Sequence, residues 1–169
     1  MKQALDKSIK AVGVFVDEPL EHVIGLCNQG IIDMAQLHGN EDEKYIEELK
    51  IKTDIAVIKA IKVQTAKQVI ESIPRNADLL LFDTYKKGEL GGTGERFTLS
   101  VLEEALKLWQ ESGNRTVPYF IAGGLDVDNI DEVLTKAKCF GVDVSTGVET
   151  EGAKDEEKIR MFIENVRRK

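Results

Sequence analysis

A chain of 169 residues, 42% hydrophobic and 31% charged, carries enough apolar material for one domain, residues 1–169, with its own core. Its net charge of −7 offers no basic surface for nucleic acid or for an anionic membrane. No apolar run approaches the roughly 18 residues of a membrane span, and MKQALDKSIK lacks the apolar stretch of a signal peptide, so the cytoplasm is the expected compartment.

Short β-branched runs alternate along the chain with longer segments of helical period. AVGVFV at 11–16 predicts the first strand, and PLEHVIGLCNQ a helix whose start is signalled by Asp17 or Glu18 ahead of Pro19. IDMAQL at 32–37 precedes the helix DEKYIEELK, and IAVIKAI at 55–61 precedes TAKQVIESI. ADLLLF at 77–82 is followed by a glycine-rich stretch and then the helix LSVLEEALKLWQES. PYFIAG at 118–123 leads to NIDEVLTKA, with Asp128 as the expected cap. GVDVS at 141–145 leads to DEEKIRMFIENVRR, where Ile159, Phe162, Ile163 and Val166 make one apolar stripe.

Strands this apolar suit a parallel sheet covered on both faces. Two architectures fit such βα repetition, an open doubly wound sheet and a closed (β/α)8 barrel. No GxGxxG follows the first strand, which weakens a dinucleotide-binding reading. Polar residues follow the strands instead: Asp17, His38, Lys62, Asp83, Gly123-Gly124 and Ser145-Thr146-Gly147. In a barrel these gather at the C-terminal face, where barrel active sites are built, so the α/β TIM-barrel class is expected. Only six βα units can be counted, against the eight of a closed barrel.

Glycines at the ends of the last two strands, in FIAGGLD and VDVSTGVE, let backbone N–H groups approach an anion. Gly123, Gly124, Ser145, Thr146 and Gly147 are therefore candidates for a phosphate cup, the alternative being that the glycines merely permit tight turns. His38, which closes AQLHGNED, is either a substrate contact or a capping histidine, and Gln36 shares its side of the strand. His22 falls in a helix and is expected at the surface. Asp83, at the end of LLLF, is either a general acid whose pKa desolvation raises or the carboxylate of an Asx-type turn with Thr84. YKKGELGGTGERF after it has the length and glycine content of a lid. Asp143 is a second carboxylate whose direction the sequence leaves open. Cys27 and Cys139 lie outside any metal or CxxC spacing and read as reduced, packed thiols.

VGVFVDEP, QLHGNED, IKAIKV, LLFDTYKKGELGGTGERF, FIAGGLDVDNI and VDVSTGVE, in this order over almost the whole chain, closely resemble the phosphoribosylanthranilate isomerase family of tryptophan biosynthesis. The resemblance implies a (β/α)8 fold and a cofactor-free Amadori rearrangement of N-(5'-phosphoribosyl)anthranilate. It gives Asp83 the role of the acid that protonates the furanose oxygen and the Gly123-Gly124 and Ser145-Thr146-Gly147 loops the phosphate, while Gln36, His38 and Asp143 are expected as substrate contacts from their own positions at the strand ends. A related phosphosugar isomerase barrel of histidine biosynthesis is the runner-up, and QLHG with LLFDT…GGTG argues against it.

Two segments of the family pattern have no counterpart here. The family's base is a cysteine in K-x-C-G at the end of its first strand, and an arginine in S-x-R after the second holds the anthranilate carboxylate. The resemblance thus implies that the β1α1β2 portion of the family barrel is missing, leaving a seam of about 14 Å at ~4.8 Å per strand. Three expectations follow: a shortened, impaired version of the enzyme; a homodimer or a separate N-terminal fragment closing the seam; or a phosphate-binding barrel fragment without catalysis.

Overall fold

The computed structural model describes residues 6–84 and 94–168. All six expected parallel strands are present: β1 (Val12–Phe15), β2 (Met34–Leu37), β3 (Ala56–Lys62), β4 (Leu79–Asp83), β5 (Tyr119–Ala122) and β6 (Gly141–Val142). They alternate with α1 (Leu20–Asn28), α2 (Glu43–Lys52), α3 (Ala66–Ser72), α4 (Gly94–Glu111), α5 (Ile130–Lys136) and α6 (Glu156–Arg167). A small hairpin, β7 (Glu149–Thr150) and β8 (Ala153–Lys154), precedes α6. The hydrogen-bonded order is β1-β2-β3-β4-β5-β6. Strand order that never reverses is the barrel pattern, whereas a doubly wound sheet has a switch point. The TIM-barrel class, with six βα units, therefore holds.

The chain divides into two compact units, Met1–Ile61 with Ile73–Leu81, and Lys62–Ser72 with Phe82–Lys169. In the first, β1 pairs with β2 from Val12↔Met34 to Phe15↔Leu37, and β2 with β3 from Met34↔Ala56 to Leu37↔Lys59. Its core joins Phe15, Ala35, Leu37 and Val57 of the strands to Val23, Ile24, Ile46 and Leu49 of α1 and α2. In the second, β5 pairs with β6 at Phe120↔Gly141 and Ile121↔Val142. There Phe82, Leu102, Ile121, Ile130, Val148 and Phe162 are buried, and Phe82 meets Tyr119 edge to face at 5.4 Å.

Three sequence expectations are corrected by the structure. The second and fourth strands start two residues later than apolarity suggests, at Met34 and Leu79. Asp33 accepts a bond from the Ala11 amide and Asp78 one from the Val57 amide, so each acid replaces a ladder partner where its strand begins. The sixth strand is two residues rather than five, because Ser145 (φ −120, ψ −87) turns the chain into a 3-10 turn at Thr146–Val148. The β1 face is open: Val12 and Val14 are 41% and 59% exposed, so full burial on both faces fails at this edge strand.

Helix starts differ too. Neither Asp17 nor Glu18 caps α1, whose first position is preceded by Pro19 with no side-chain cap bond; Asp17 binds Asn40 instead. Asp128 does not cap α5; the Asp126 carboxylate accepts bonds from the Asp128 and Asn129 amides, and the Asp126 amide donates to Asn129 Oδ1. α4 begins at Gly94, so Gly94–Phe97, the end of the expected lid, are helical, while its residues 85–93 lie outside the described residues. In α6 the stripe holds at Phe162, but Ile163 is 42% exposed. The β7–β8 hairpin went unforeseen; Glu151 and Gly152 both have positive φ, the two-residue turn that fits the twist of paired strands. Among the described residues no helix is long and apolar enough to cross a membrane.

The hairpin fixes the start of α6. Asp155 caps it, accepting from the Glu157 and Lys158 amides and from the Thr150 hydroxyl. These bonds, the Thr150 hydroxyl foremost, hold its carboxyl below the ordinary value of 3.8. A pKa depressed on folding stabilises above the unfolded value and the benefit fades as pH falls through the folded one. The Tm deficit of Asp155→Ala should therefore be constant from neutral pH down to the ordinary value of 3.8 and shrink below it in thermal melts.

Candidate active site

Asp83 is the last residue of β4, not the first beyond it, and is half-buried. Its carbonyl accepts the Val63 amide at 3.0 Å. The next residue, Thr84, is tied to β5: its amide and hydroxyl both donate to the Ala122 carbonyl, at 2.9 and 2.8 Å, and the hydroxyl also reaches the Gly123 carbonyl at 3.1 Å. Both donors of Thr84 are thus committed across the sheet, while the amide two residues beyond Asp83, which an Asx-type turn would use, lies outside the described residues. The carboxylate strand end and the glycine loop are bound side by side.

Gly123 and Gly124 take φ of 92° and 68°, the left-handed region that a side chain disfavours. The Gly124 carbonyl accepts from the Asn129 carboxamide at 2.8 Å, so the loop is locked onto the start of α5. One strand further, the Asp143 amide donates to the Ile121 carbonyl at 2.9 Å, and the Asp143 residue is exposed. Ser145 then opens the 3-10 turn that carries Thr146 and Gly147. A Cβ on Gly147 would lie 1.8 Å from the Leu125 carbonyl oxygen. This glycine is required by contact between the two loops rather than by its own dihedrals. The second unit therefore brings Asp83, Gly123, Gly124, Asp143, Ser145, Thr146 and Gly147 onto three neighbouring strand ends.

Lys154, on β8, was not anticipated. Its ammonium donates to the Ser145 carbonyl at 2.9 Å and pairs with Glu149 at 2.7 Å. The signal for it lay only in the hairpin, which has no apolar period to betray it. Backbone N–H groups of two turns, a nearby cation and a carboxylate on the adjoining strand can hold a phosphate and offer a proton to its sugar.

The first unit holds the other pair. Gln36, 8% exposed, places its carboxamide nitrogen 3.4 Å from His38 Nδ1, so the two share one side of the strand as expected. The His38 amide donates to the Phe15 carbonyl at 2.8 Å. His22 is exposed and pairs with Glu18. Lys62 ends β3 with its side chain in solvent.

Neither cysteine is placed for chemistry. Cys27 lies within α1 and Cys139 immediately ahead of β6, both half-buried, and burial pushes both thiols above their ordinary value. Among the described residues no cluster of His, Cys, Asp or Glu could hold a metal ion.

Comparison with known proteins bears on this arrangement. Residues 1–165 match the family model of N-(5'phosphoribosyl)anthranilate (PRA) isomerase. A protein of Lachnoclostridium phytofermentans named N-(5'-phosphoribosyl)anthranilate isomerase is 40% identical over 169 residues, covering 96% of this chain and 76% of its own. The phosphoribosyl anthranilate isomerase of Thermotoga maritima superposes with a TM-score of 0.77 at 30% identity, over 98% of this chain and 76% of that one. A phosphoribosyl anthranilate isomerase crystallised with reduced 1-(o-carboxyphenylamino)-1-deoxyribulose 5-phosphate gives a TM-score of 0.74 at 27% identity, over 99% and 76%.

Proposed function

Because the chain belongs to the N-(5'-phosphoribosyl)anthranilate isomerase family, we propose that it carries the acid and phosphate-binding machinery of that isomerisation in tryptophan biosynthesis. Asp83 protonates the furanose ring oxygen, the C1'–O bond breaks, and a Schiff base forms at the anilino nitrogen. Loss of the C2' proton gives an enolamine, which relaxes to the ketose 1-(2-carboxyphenylamino)-1-deoxyribulose 5-phosphate. Gly123, Gly124, Ser145, Thr146 and Gly147 hold the phosphate through backbone N–H groups, and Gln36, His38 and Asp143 contact the remainder of the substrate. The observation that carries this reading is the tether from Thr84 to the Ala122 and Gly123 carbonyls, which sets the acid one residue from the loop that binds the anion. The reaction as written needs no cofactor, and we place it in the cytoplasm.

The base is a separate matter. Cys27 and Cys139 do not end strands, so the family's cysteine chemistry has no residue here to perform it. We infer that the 169 residues alone turn substrate over slowly, and that a further strand-bearing segment, or a second copy set against the open β1 edge, raises the rate. The test follows the loss of anthranilate fluorescence as phosphoribosylanthranilate is consumed, with and without a β-α-β segment of a relative. Slow turnover that the segment accelerates is the expected result. Full turnover by the chain alone would remove the need for a second source of the base. Binding of the reduced product analogue without turnover in either mixture would favour a phosphate-binding module, and no binding at all would sink the assignment.

A further inference from the structure

The first unit buries an ion pair that no step of the proposed reaction uses. Lys59 and Glu41 are each 7% exposed, and their charged atoms lie 2.9 Å apart. A buried pair of this kind is weak evidence for stability, since apolar side chains of similar volume often serve as well or better. Its geometry points elsewhere. The Lys59 ammonium spends its donors on Glu41, on the Gly39 carbonyl at 2.7 Å and on the Leu37 carbonyl at 3.3 Å. Glu41 in turn accepts the Gly39 amide at 2.9 Å and the Asp17 amide at 2.8 Å. Both backbone polar groups of Gly39 are therefore held by one charged pair.

The same turn is clamped from its other side. Asp17 has φ of 52°, a strained conformation for a residue with a side chain. Its carboxylate accepts the Asn40 amide at 2.6 Å and the Asn40 carboxamide at 3.1 Å. A Cβ on Gly39 would come within 2.5 Å of the Asp17 amide nitrogen and carboxylate. The segment from Leu37 to Asn40 thus has its backbone fixed at every residue, counting the bond from His38 to Phe15. Gln36 and His38 stand on either side of Leu37 at this strand end, their side chains in mutual contact.

We propose that Glu41 and Lys59 are positioning residues, which hold the Leu37–Asn40 turn so that Gln36 and His38 meet the substrate in one arrangement. This rests on the substrate role given to Gln36 and His38 above. The pair trades desolvation cost for a turn that cannot relax, which is what a preorganised binding group requires.

The test compares the wild-type chain with the double variant Lys59→Met/Glu41→Met. Folding is followed by circular dichroism, affinity for the reduced product analogue by calorimetry, and the His38 ring by NMR. The expected result is a folded double variant that binds the analogue at least about tenfold more weakly, with the His38 ring signals shifted or broadened. Inorganic phosphate, which reports on the second unit alone, should bind both proteins equally. Equal analogue affinity with unchanged His38 signals would overturn the positioning role and leave the functional assignment standing. Failure of the wild-type chain to bind the analogue would overturn both. Should the double variant not fold, Glu41→Gln preserves the side-chain shape and is read by the same criteria, unchanged affinity again overturning the role.

Discussion

Asp83→Asn should lower kcat by about 10²–10⁴-fold, the usual yield of one positioned proton transfer, while leaving the fold and the phosphate affinity nearly intact. The separation follows from how the residue is held. Among the described residues, this strand end is held by backbone bonds and by Thr84: the Asp83 carbonyl receives Val63, and Thr84 makes its bonds to Ala122 and Gly123. Asparagine keeps the shape and these bonds but has no proton to give with the right driving force. On the proposed reading the Gly123-Gly124 and Ser145-Thr146-Gly147 loops bind phosphate through N–H groups, which the substitution does not touch. The measurement is made in whichever form gives the higher rate, the chain alone or the chain supplied with a β-α-β segment. An unchanged kcat would remove Asp83 from the acid role; a raised KM with unchanged kcat would make it a binding residue instead.

The second large effect belongs to Gly147. In Gly147→Ala the new methyl would stand 1.8 Å from the Leu125 carbonyl oxygen, 2.8 Å from its carbon and 3.0 Å from the Asp126 Cα. All three are backbone atoms, so relief requires one loop to withdraw from the other. The two loops then no longer hold the relative placement that the proposed phosphate site needs, and a displacement near 1 Å at such a site costs roughly 10²-fold. Calorimetry should show affinity for inorganic phosphate and for the product analogue falling together. Gly25→Ala is the control: it lies in α1, and the nearest atom to its Cβ is a side-chain nitrogen at 3.8 Å. It should leave phosphate binding unchanged and hold or raise Tm. Phosphate affinity that survived Gly147→Ala would mean that the anion is not held where these loops meet.

Much of the fold was legible because strand and helix periodicity is a local property. AVGVFV, IAVIKAI and PYFIAG became strands, and DEEKIRMFIENVRR a helix, since burial of one face or stripe is written into residue spacing. Asp83 and the two glycine turns were legible as candidates for the same reason, each following an apolar run directly. Errors arose where a side chain bonds across the chain. Asp33 and Asp78 read as members of strands yet replace ladder partners at their starts. Asp17 reads as a helix cap, but Asn40, 23 residues on, claims its carboxylate. Lys59 sits unremarked in IAVIKAI because periodicity sees a lysine in a strand, not the carboxylate of Glu41 that receives it.

The amino-acid sequence by itself determined the six βα units, the family, and the residue types at each strand end, because these depend on local apolar order and on motifs read along one chain. Tertiary structure alone decided which of those residues are held together. Parallel strands adjacent in the sheet are separated by some 20 to 40 residues of chain, so the bond from Thr84 to Ala122, the contact of Gly147 with Leu125 and the burial of Glu41 against Lys59 exist only once the sheet has formed. A charge such as Lys59 is costly to bury in any one segment and becomes tolerable only when the end of β2 and the turn after it supply its partners.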